Sequence, residues 1–463
     1  MKTLWRRWES YWFQPAPLFT LAVCRLLIVG LQLFKLLHHN WHAEFADHAT
    51  LSDALFHPLP VLRLLTLPLG GAGPRSLVAG LWNYRPALAT LDICYWGTVM
   101  AGLFAFIGVW TNRSLRLFAL GNMLMVAYLY SFGDFHHPEA IMMIALTVLA
   151  FGPAGGALSV DDLRRRLSQV VRRHRFESRP VLEARSEFAR WPLLVIQWVC
   201  ALIYLSCAMS KLHHGGFAWM NGQTLQYYLM EDGLRWNKPL GIWLSHHHTL
   251  VAALSWVTVL FEGTFFLAVI FPWLAWLYVP AGLAFHYGIY VTMDAAFFQL
   301  MMIYCVFVPW ATAACQAAAR LQSWGWAKPV EIFYDGRCPL CMRSMAALET
   351  FDWFQRLTFS DLETQWPRLA AGHPEVSLEA CRQDMHVLLS DGALQKGFFA
   401  YREILKVLPP LWPLLILFYA PLASTVGPRL YGWIAARRVK NEPCTLQVCA
   451  THHHDAQASA PSR

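Results

Sequence analysis

Charged residues are scarce in this chain. Asp, Glu, Lys and Arg make up 14% of 463 residues, against 56% hydrophobic residues and 22 tryptophans. That balance excludes a disordered or highly solvated protein and assigns most of the chain to the membrane class. The net charge of +8 lies largely in loops between apolar runs, so it reports membrane topology and argues against nucleic acid as a partner. No internal repeat is visible, which excludes a solenoid. A cleavable signal peptide is also missing from this reading: the first apolar run, about residues 17–37, follows Lys2, Arg6 and Arg7 but is long enough to span a bilayer.

Long apolar runs fill the first two thirds of the chain. They predict eight spans, at about 17–37, 90–110, 115–132, 139–153, 191–210, 249–270, 273–292 and 296–314. Between the fourth and fifth, Asp161 to Arg190 carries nine arginines, among them Arg164, Arg165, Arg166 and Arg179. A loop so basic belongs in the cytoplasm, which puts both termini inside and the segments 38–89, 131–138, 211–248 and 293–295 outside. Most histidines then fall on the outer side, including His136, His137, His213 and His214, with His286 near the outer end of the seventh span. Such a layer is either ordinary interfacial histidine or a metal or proton-handling surface, for which His136, His213 and His214 are the weak metal candidates. Arg25, Asp92 and Glu262 lie at membrane depth, where ionisable groups are costly and mark function or structural pairing. Lys211 closes the fifth span, either as a snorkelling anchor or as an amine whose apolar surroundings make it a base.

The sharpest chemical signal comes later, in Asp335-Gly336-Arg337-Cys338-Pro339-Leu340-Cys341. A short strand, Val330 to Phe333, precedes it and a helical run from about Met342 to Phe351 follows. That places Cys338 at a helix N-terminus, where unpaired N–H groups and the helix dipole favour a thiolate. Pro339 suits the first helical position and Arg337 adds positive charge, so Cys338 is the attacking thiolate and Cys341 its resolving partner in a redox-active disulfide. The competing reading is half of a zinc site, which would need a second ligand pair; only Cys444 and Cys449, with a wider gap, could supply one. Their tail, with His452, His453 and His454, is a metal tether, a second dithiol or a disordered polar end. Cys24, Cys94, Cys200, Cys207, Cys305 and Cys315 read as packing residues. The apolar, proline-rich stretch from Pro409 to Ala423 is too short to span and reads as buried or resting on a membrane.

Two resemblances organise these features. Residues from about Gln14 to Trp310 resemble the membrane domain of the vitamin K-dependent γ-carboxylase superfamily, called HTTM in bacteria. The resemblance rests on Arg25 in the first span, Phe135-His136-His137, Leu158-Ser159-Val160-Asp161, Ala208-Met209-Ser210-Lys211-Leu212, Trp219-Met220-Asn221-Gly222 and Ala284-Phe285-His286. It implies Lys211 as the catalytic base, His137 as its support, His286 as a further site residue, and a vitamin K-like quinone as a candidate ligand. The eukaryotic enzymes of that superfamily carry a large extracytoplasmic substrate-binding domain where this chain has its cysteine box. That C-terminal region, about 328–441, resembles the DCC family of thiol-disulfide oxidoreductases, through the Asp335-x-x-Cys338-x-x-Cys341 box, Met385 to Gly392, Lys396-Gly397 and Tyr431 to Arg438. A thioredoxin-like layer is implied, without the proline expected opposite a thioredoxin active site, since Asp384-Met385 stands there.

The fold class expected is therefore mainly α, a polytopic helical membrane domain (1–315), a linker (316–329), a small α/β thioredoxin-like domain (330–441) and a polar Cys/His tail (442–463). The expected function is an integral-membrane thiol-disulfide oxidoreductase of a bacterial-type inner membrane, with Cys338, Cys341 and Asp335 at its site. Its expected partners are the lipid bilayer and a thiol or disulfide protein or secreted peptide. The alternative is a peptide-maturation, carboxylase-like or metal-handling membrane protein in which the cysteine box is regulatory.

Overall fold

A computed structural model describes residues 2–62, 85–133, 137–324 and 328–437. The chain divides into two compact units, one made of residues 1–161 and 183–313, the other of residues 162–182 and 314–463.

The first unit is helical. Its principal helices are α1 (Leu18–His38), α2 (Leu88–Ile107), α3 (Thr111–Tyr130), α4 (His137–Phe151), α6 (Arg190–Gly215), α7 (His248–Thr264), α8 (Ala275–Met293) and α9 (Phe298–Ile303), whereas α5 (Val160–Arg173) and α10 (Trp310–Ser323) belong mostly to the second unit. Many are apolar on their outward as well as their inward faces: Ile93, Leu117 and Trp276 are all more than half exposed, unlike the polar outer stripe of an ordinary surface helix. Among the described residues, four helical stretches are long and apolar enough to cross a membrane: Leu18–His38, Leu88–Ile107, Glu187–Asn221 and Pro272–Met293. The count rises to six if two bent pairs each form one span.

Helices occupy all eight places expected from hydropathy, but not all are by themselves long and apolar enough to cross a membrane. Asn112, Arg113 and Arg116 fall in the first turns of α3; α4 has 15 residues and α7 has 17. The eighth run is broken at Val308-Pro309, where the stretch Phe298–Phe307 turns by 77° into α10, because proline there cannot donate its missing N–H or clear the preceding turn. The linker expected at 316–329 is partly helix, since α10 continues to Ser323 through alanine-rich sequence.

Close packing in this unit depends on small residues. A Cβ at Gly102 of α2 would come within 2.6 Å of the Phe118 ring on α3, so glycine there sets the approach of the two helices. The costly charges have partners. Arg25 is fully buried and donates to the carbonyls of Ala154 (2.9 Å) and Leu158 (2.6 Å). Asp161 accepts the N–H groups of Trp110 (3.1 Å) and Thr111 (2.7 Å), capping the start of α3. Asp92 pairs with His42 at 2.6 Å.

The second unit is built on a four-stranded sheet: β1 (Val330–Tyr334), β2 (Leu357–Asp361), β3 (His386–Leu388) and β4 (Leu394–Lys396), in the order β2-β1-β3-β4. β1 and β2 run parallel, joined by α11 (Pro339–Phe351), and the remaining pairs are antiparallel. Around the sheet lie α12 (Leu362–Gly372), α13 (Gly397–Val407), α14 (Trp412–Phe418) and α15 (Ala423–Ala435). Alternation along β1 divides the core: Ile332 packs with Cys338, Met342 and Met345 on one face, and Phe333 with Leu362, Leu369 and Cys381 on the other.

The arginine-rich segment, expected as a loop, contributes to this unit. Val170 is buried in the same cluster as Cys338 and Cys341, with Leu167 and Phe176 packed against it. Phe176 meets Tyr334 and Phe359 edge-on at 5.7 and 5.1 Å. Its polar anchor is Glu349 near the end of α11, which accepts from Arg166 Nη1 (2.9 Å), Ser178 Oγ (2.6 Å) and the Arg179 N–H (2.7 Å). Burial pushes the Glu349 carboxyl above its usual range even so. Truncating it leaves Arg166 its ion pair with Asp162 (3.0 Å) but strips the Ser178 hydroxyl and the Arg179 N–H of their acceptor, so Glu349→Ala is expected to cost about 1–3 kcal/mol, read as a loss of protease resistance in residues 162–182.

His386 gives the sign of a pH effect. Burial lowers its imidazole below the ordinary 6.5, so below that pH the unfolded chain binds more protons than the folded one. Its contribution to stability is present above pH 6.5 and is lost as pH falls through the depressed folded value. The expected result is a smaller acid-induced drop in melting temperature for His386→Asn than for the parent, measured by thermal unfolding at neutral and mildly acidic pH.

Candidate functional site

The cysteine box is a turn between β1 and α11 that is fixed by two aspartates. Asp335 is buried; its carboxylate accepts the Arg337 N–H (3.0 Å) and its carbonyl the Cys338 N–H (3.1 Å), which closes the turn. Asp361, at the end of β2, accepts the N–H groups of Gly336 (3.3 Å) and Glu363 (3.1 Å). A Cβ at Gly336 would come within 2.7 Å of the Asp361 carboxyl carbon, so only glycine allows this approach. Arg337, expected to lend its charge to Cys338, forms an ion pair with Glu363.

Cys338 is the N-cap of α11. Its backbone is extended, Pro339 follows as the first helical residue, and Sγ accepts the Cys341 N–H at 3.4 Å. A sulfur thus occupies the place usually taken by a serine or aspartate oxygen, and the helix N-terminus favours negative charge on it. Both cysteines are buried, at 1% and 9% exposure. They are not equivalent, however. Cys341 lines a cavity of about 590 Å³ together with Tyr334, Asp335, Cys381 and Met385, whereas Cys338 is not part of the lining.

Two wall residues have environments that matter chemically. Burial, with Asp361 nearby, raises the Tyr334 phenol to about 12, and burial raises the Cys381 thiol to about 11. Tyr334 therefore remains a hydrogen-bond donor and Cys381 a poor nucleophile at neutral pH. Sequence reasoning passed over Cys381, which sits in a polar helical stretch with no partner at recognisable spacing; only the structure brings it to the wall that holds Cys341. Asp361 was also missed, although an aspartate just before a helix is a readable cap signal.

The residues expected in the membrane-class unit fall into separate arrangements. Lys211 on α6 donates to both carboxylate oxygens of Glu262 on α7, at 2.8 and 2.7 Å, and lies 5.4 Å from the Trp219 ring. His286 on α8 is buried and its Nε2 is 2.5 Å from Tyr204 Oη, which also hydrogen-bonds Tyr304 Oη. No hydrogen bond or ion pair joins Lys211 to His286 among the described residues. Tyr304 lines a second cavity of about 1060 Å³, whose polar edge includes the ion pair of Lys35 with Glu139. Tyr204 and Tyr304 went unremarked in the sequence, where tyrosines in apolar helices look like packing.

His137 begins α4, and His136, Cys444 and Cys449 lie outside the described residues. His213 and His214 are exposed at the end of α6, their rings edge-on at 4.9 Å. Among the described residues no group of three or more His, Cys, Asp or Glu is arranged to hold a metal ion. Cys24, Cys200 and Cys305 are buried, Cys94 is half-buried, and Cys207 and Cys315 are exposed.

Residues 332–442 match the family of DCC1-like thiol-disulfide oxidoreductases. The match takes in the whole of the box and the sheet beyond the start of β1, and it supports a thiol-disulfide redox role for this part of the chain. No curated protein and no solved structure matches the chain.

The Lys211–Glu262 pair separates structural from chemical roles. Glu262→Ala is expected to cost about 3–5 kcal/mol by stranding an ammonium among apolar helices, while Lys211→Met with Glu262→Met stays near the parent stability. Thermal unfolding in detergent reads both; a double variant as unstable as the single one would show that the pair does more than neutralise itself.

Proposed function

We propose that the chain is an integral-membrane thiol-disulfide oxidoreductase in which Cys338 and Cys341 exchange electrons with a thiol or disulfide substrate. The observation that carries this reading is the sulfur cap: Cys338 Sγ accepts the Cys341 N–H at 3.4 Å at the start of α11, in a segment that matches an oxidoreductase family. The helix end favours the thiolate of Cys338, and the disulfide closes between it and Cys341, one helical turn away. The βαβ unit followed by a hairpin and a helix is also the connectivity of the thioredoxin-like class. Apolar helices in the first unit anchor the protein in a plasma membrane of bacterial type, with the N-terminus and the cysteine box on the cytoplasmic side. The substrate is a protein or secreted peptide carrying a thiol or disulfide.

A second reading gives the membrane-class unit its own chemistry, as the γ-carboxylase resemblance implies, with the cysteine box regulatory. In its favour stands Tyr304, which lines the larger cavity and connects through Tyr204 to His286. Lys211 would then act as a base only after leaving Glu262.

The test is exchange between the purified full chain in detergent and hydroxyethyl disulfide. Cys338→Ser and Cys341→Ser are each expected to reduce it to the uncatalysed background, and Cys381→Ser to leave it near the parent rate. Parent-like exchange in the Cys338→Ser, Cys341→Ser double variant would sink the proposal.

A further inference from the structure

We infer that the cavity walled by Cys341 in the second unit is a binding site for a lipid-soluble quinone, which exchanges two electrons with the cysteine pair. This rests on the thiol-disulfide reading above and names the small-molecule redox partner of the same site. The site is distinct from the larger cavity beside Tyr304.

The cavity has the size and character of a small-molecule site. Its volume of about 590 Å³ is within the usual range for ligand pockets, and its wall is mainly apolar with a few polar groups. Met345, Phe398 and Leu430 supply apolar surface. Tyr334 supplies a phenol that stays protonated, which suits a carbonyl acceptor.

The sulfur placement selects the reactant. Because Cys341 faces the cavity and Cys338 is 1% exposed, a partner meets the pair through Cys341. At Met385 the backbone groups that an extended peptide would join are already used. The Met385 N–H already donates to Tyr431 Oη at 2.9 Å, and its carbonyl accepts the Gly397 N–H at 2.9 Å. Strand addition at that position would have to break both bonds. A flat apolar ring needs neither.

The remaining argument is the cavity's outer wall. It is formed by the bent pair Pro409–Phe418 and Ala423–Ala435, which turns by 107° near Pro421 and is among the stretches apolar enough for a membrane. Leu417 and Val426 line the cavity, while Ile416 and Leu422, each 74% exposed, point away from the core. Arg402 stacks on Tyr419 at 3.9 Å and Arg437 on Trp433 at 3.4 Å. Exposed aliphatics flanked by arginine-aromatic pairs are the makeup of helices that lie in a membrane interface. A molecule dissolved in the bilayer would reach Cys341 without crossing water.

The reaction balances without a further reagent. Cys341 Sγ adds to a ring carbon of the quinone; Cys338 Sγ then attacks Cys341 Sγ, the S–S bond forms and the S–C bond breaks. The ring leaves with the electron pair, and the two thiol protons end on its oxygens. The pair is oxidised and the quinone reduced to quinol; the reverse direction reduces the disulfide.

The test uses the full chain in lipid nanodiscs without oxygen, with the pair reduced and decylubiquinone as the probe. One quinone is expected to be reduced per cysteine pair, with Cys338 and Cys341 becoming resistant to maleimide, and none by the Cys338→Ser, Cys341→Ser protein. That double-serine protein is still expected to retain the unreduced quinone, and adding Leu430→Trp or Val426→Trp lowers retention at least about tenfold. Hydroxyethyl disulfide exchange without quinone reduction would overturn the inference and leave the function standing. Failure of both reactions would remove the function itself, and retention unchanged by both tryptophans would overturn the cavity as the site.

Discussion

A helix that begins at Pro339 leaves amide N–H groups without carbonyl partners, and here a sulfur meets the demand. Cys338 Sγ accepts the Cys341 N–H, so one contact satisfies the helix end and sets the reactive atom in the field of the helix dipole. The rest of the second unit can be read as support for that contact. Asp335 closes the turn before it, Asp361 fastens the turn to β2, and Gly336 permits the approach. Since the aspartate hydrogen bonds are made to backbone N–H groups, they fix the loop whatever the redox state of the sulfurs.

The far end of the same helix is fixed by a different kind of interaction. Glu349 is buried, and burying a carboxylate is costly unless its oxygens are met; Arg166, Ser178 and the Arg179 N–H meet them. These donors come from the arginine-rich segment, so its charge has a structural use beside any topological one. The apolar side of that segment does comparable work, because Val170 closes the core over Cys338 and Cys341. A helix held at its first residue by sulfur and near its last turn by an ion pair cannot easily shift its N-terminus, which keeps the cysteine geometry constant.

What the sequence disclosed was local. The strand, the turn and the helix around Asp335 to Cys341 follow from a few adjacent residues, and the turn chemistry of Pro339 is readable wherever it occurs. Charge density distinguished the apolar region from the redox region for the same reason. The cavity was not readable, because Tyr334, Met385, Phe398 and Leu430 are apolar or aromatic residues on separate elements and nothing in their spacing says that they meet. The closed backbone at Met385 depends on Tyr431, 46 positions later. The arginine-rich segment misled in a more instructive way. Leu163, Leu167 and Val170 recur at helical spacing and could have announced a packed face, but the density of arginine drew the reading toward topology.

The ionisable residues of the membrane-class unit show why position alone does not make a site. At membrane depth a charge is a functional candidate by default, since lipid offers it no solvation. Arg25, however, is occupied by two carbonyls, Lys211 by both oxygens of Glu262, and Asp92 by His42. Each has a structural explanation that needs no substrate. Cys341 differs in kind: its sulfur forms part of an apolar wall while its backbone N–H is committed to Cys338. Chemistry at that sulfur leaves the aspartate hydrogen bonds that hold the turn intact, whereas chemistry at Lys211 must first break an ion pair in surroundings that make breaking it expensive. That difference in cost favours the cysteine pair as the reacting centre of this chain.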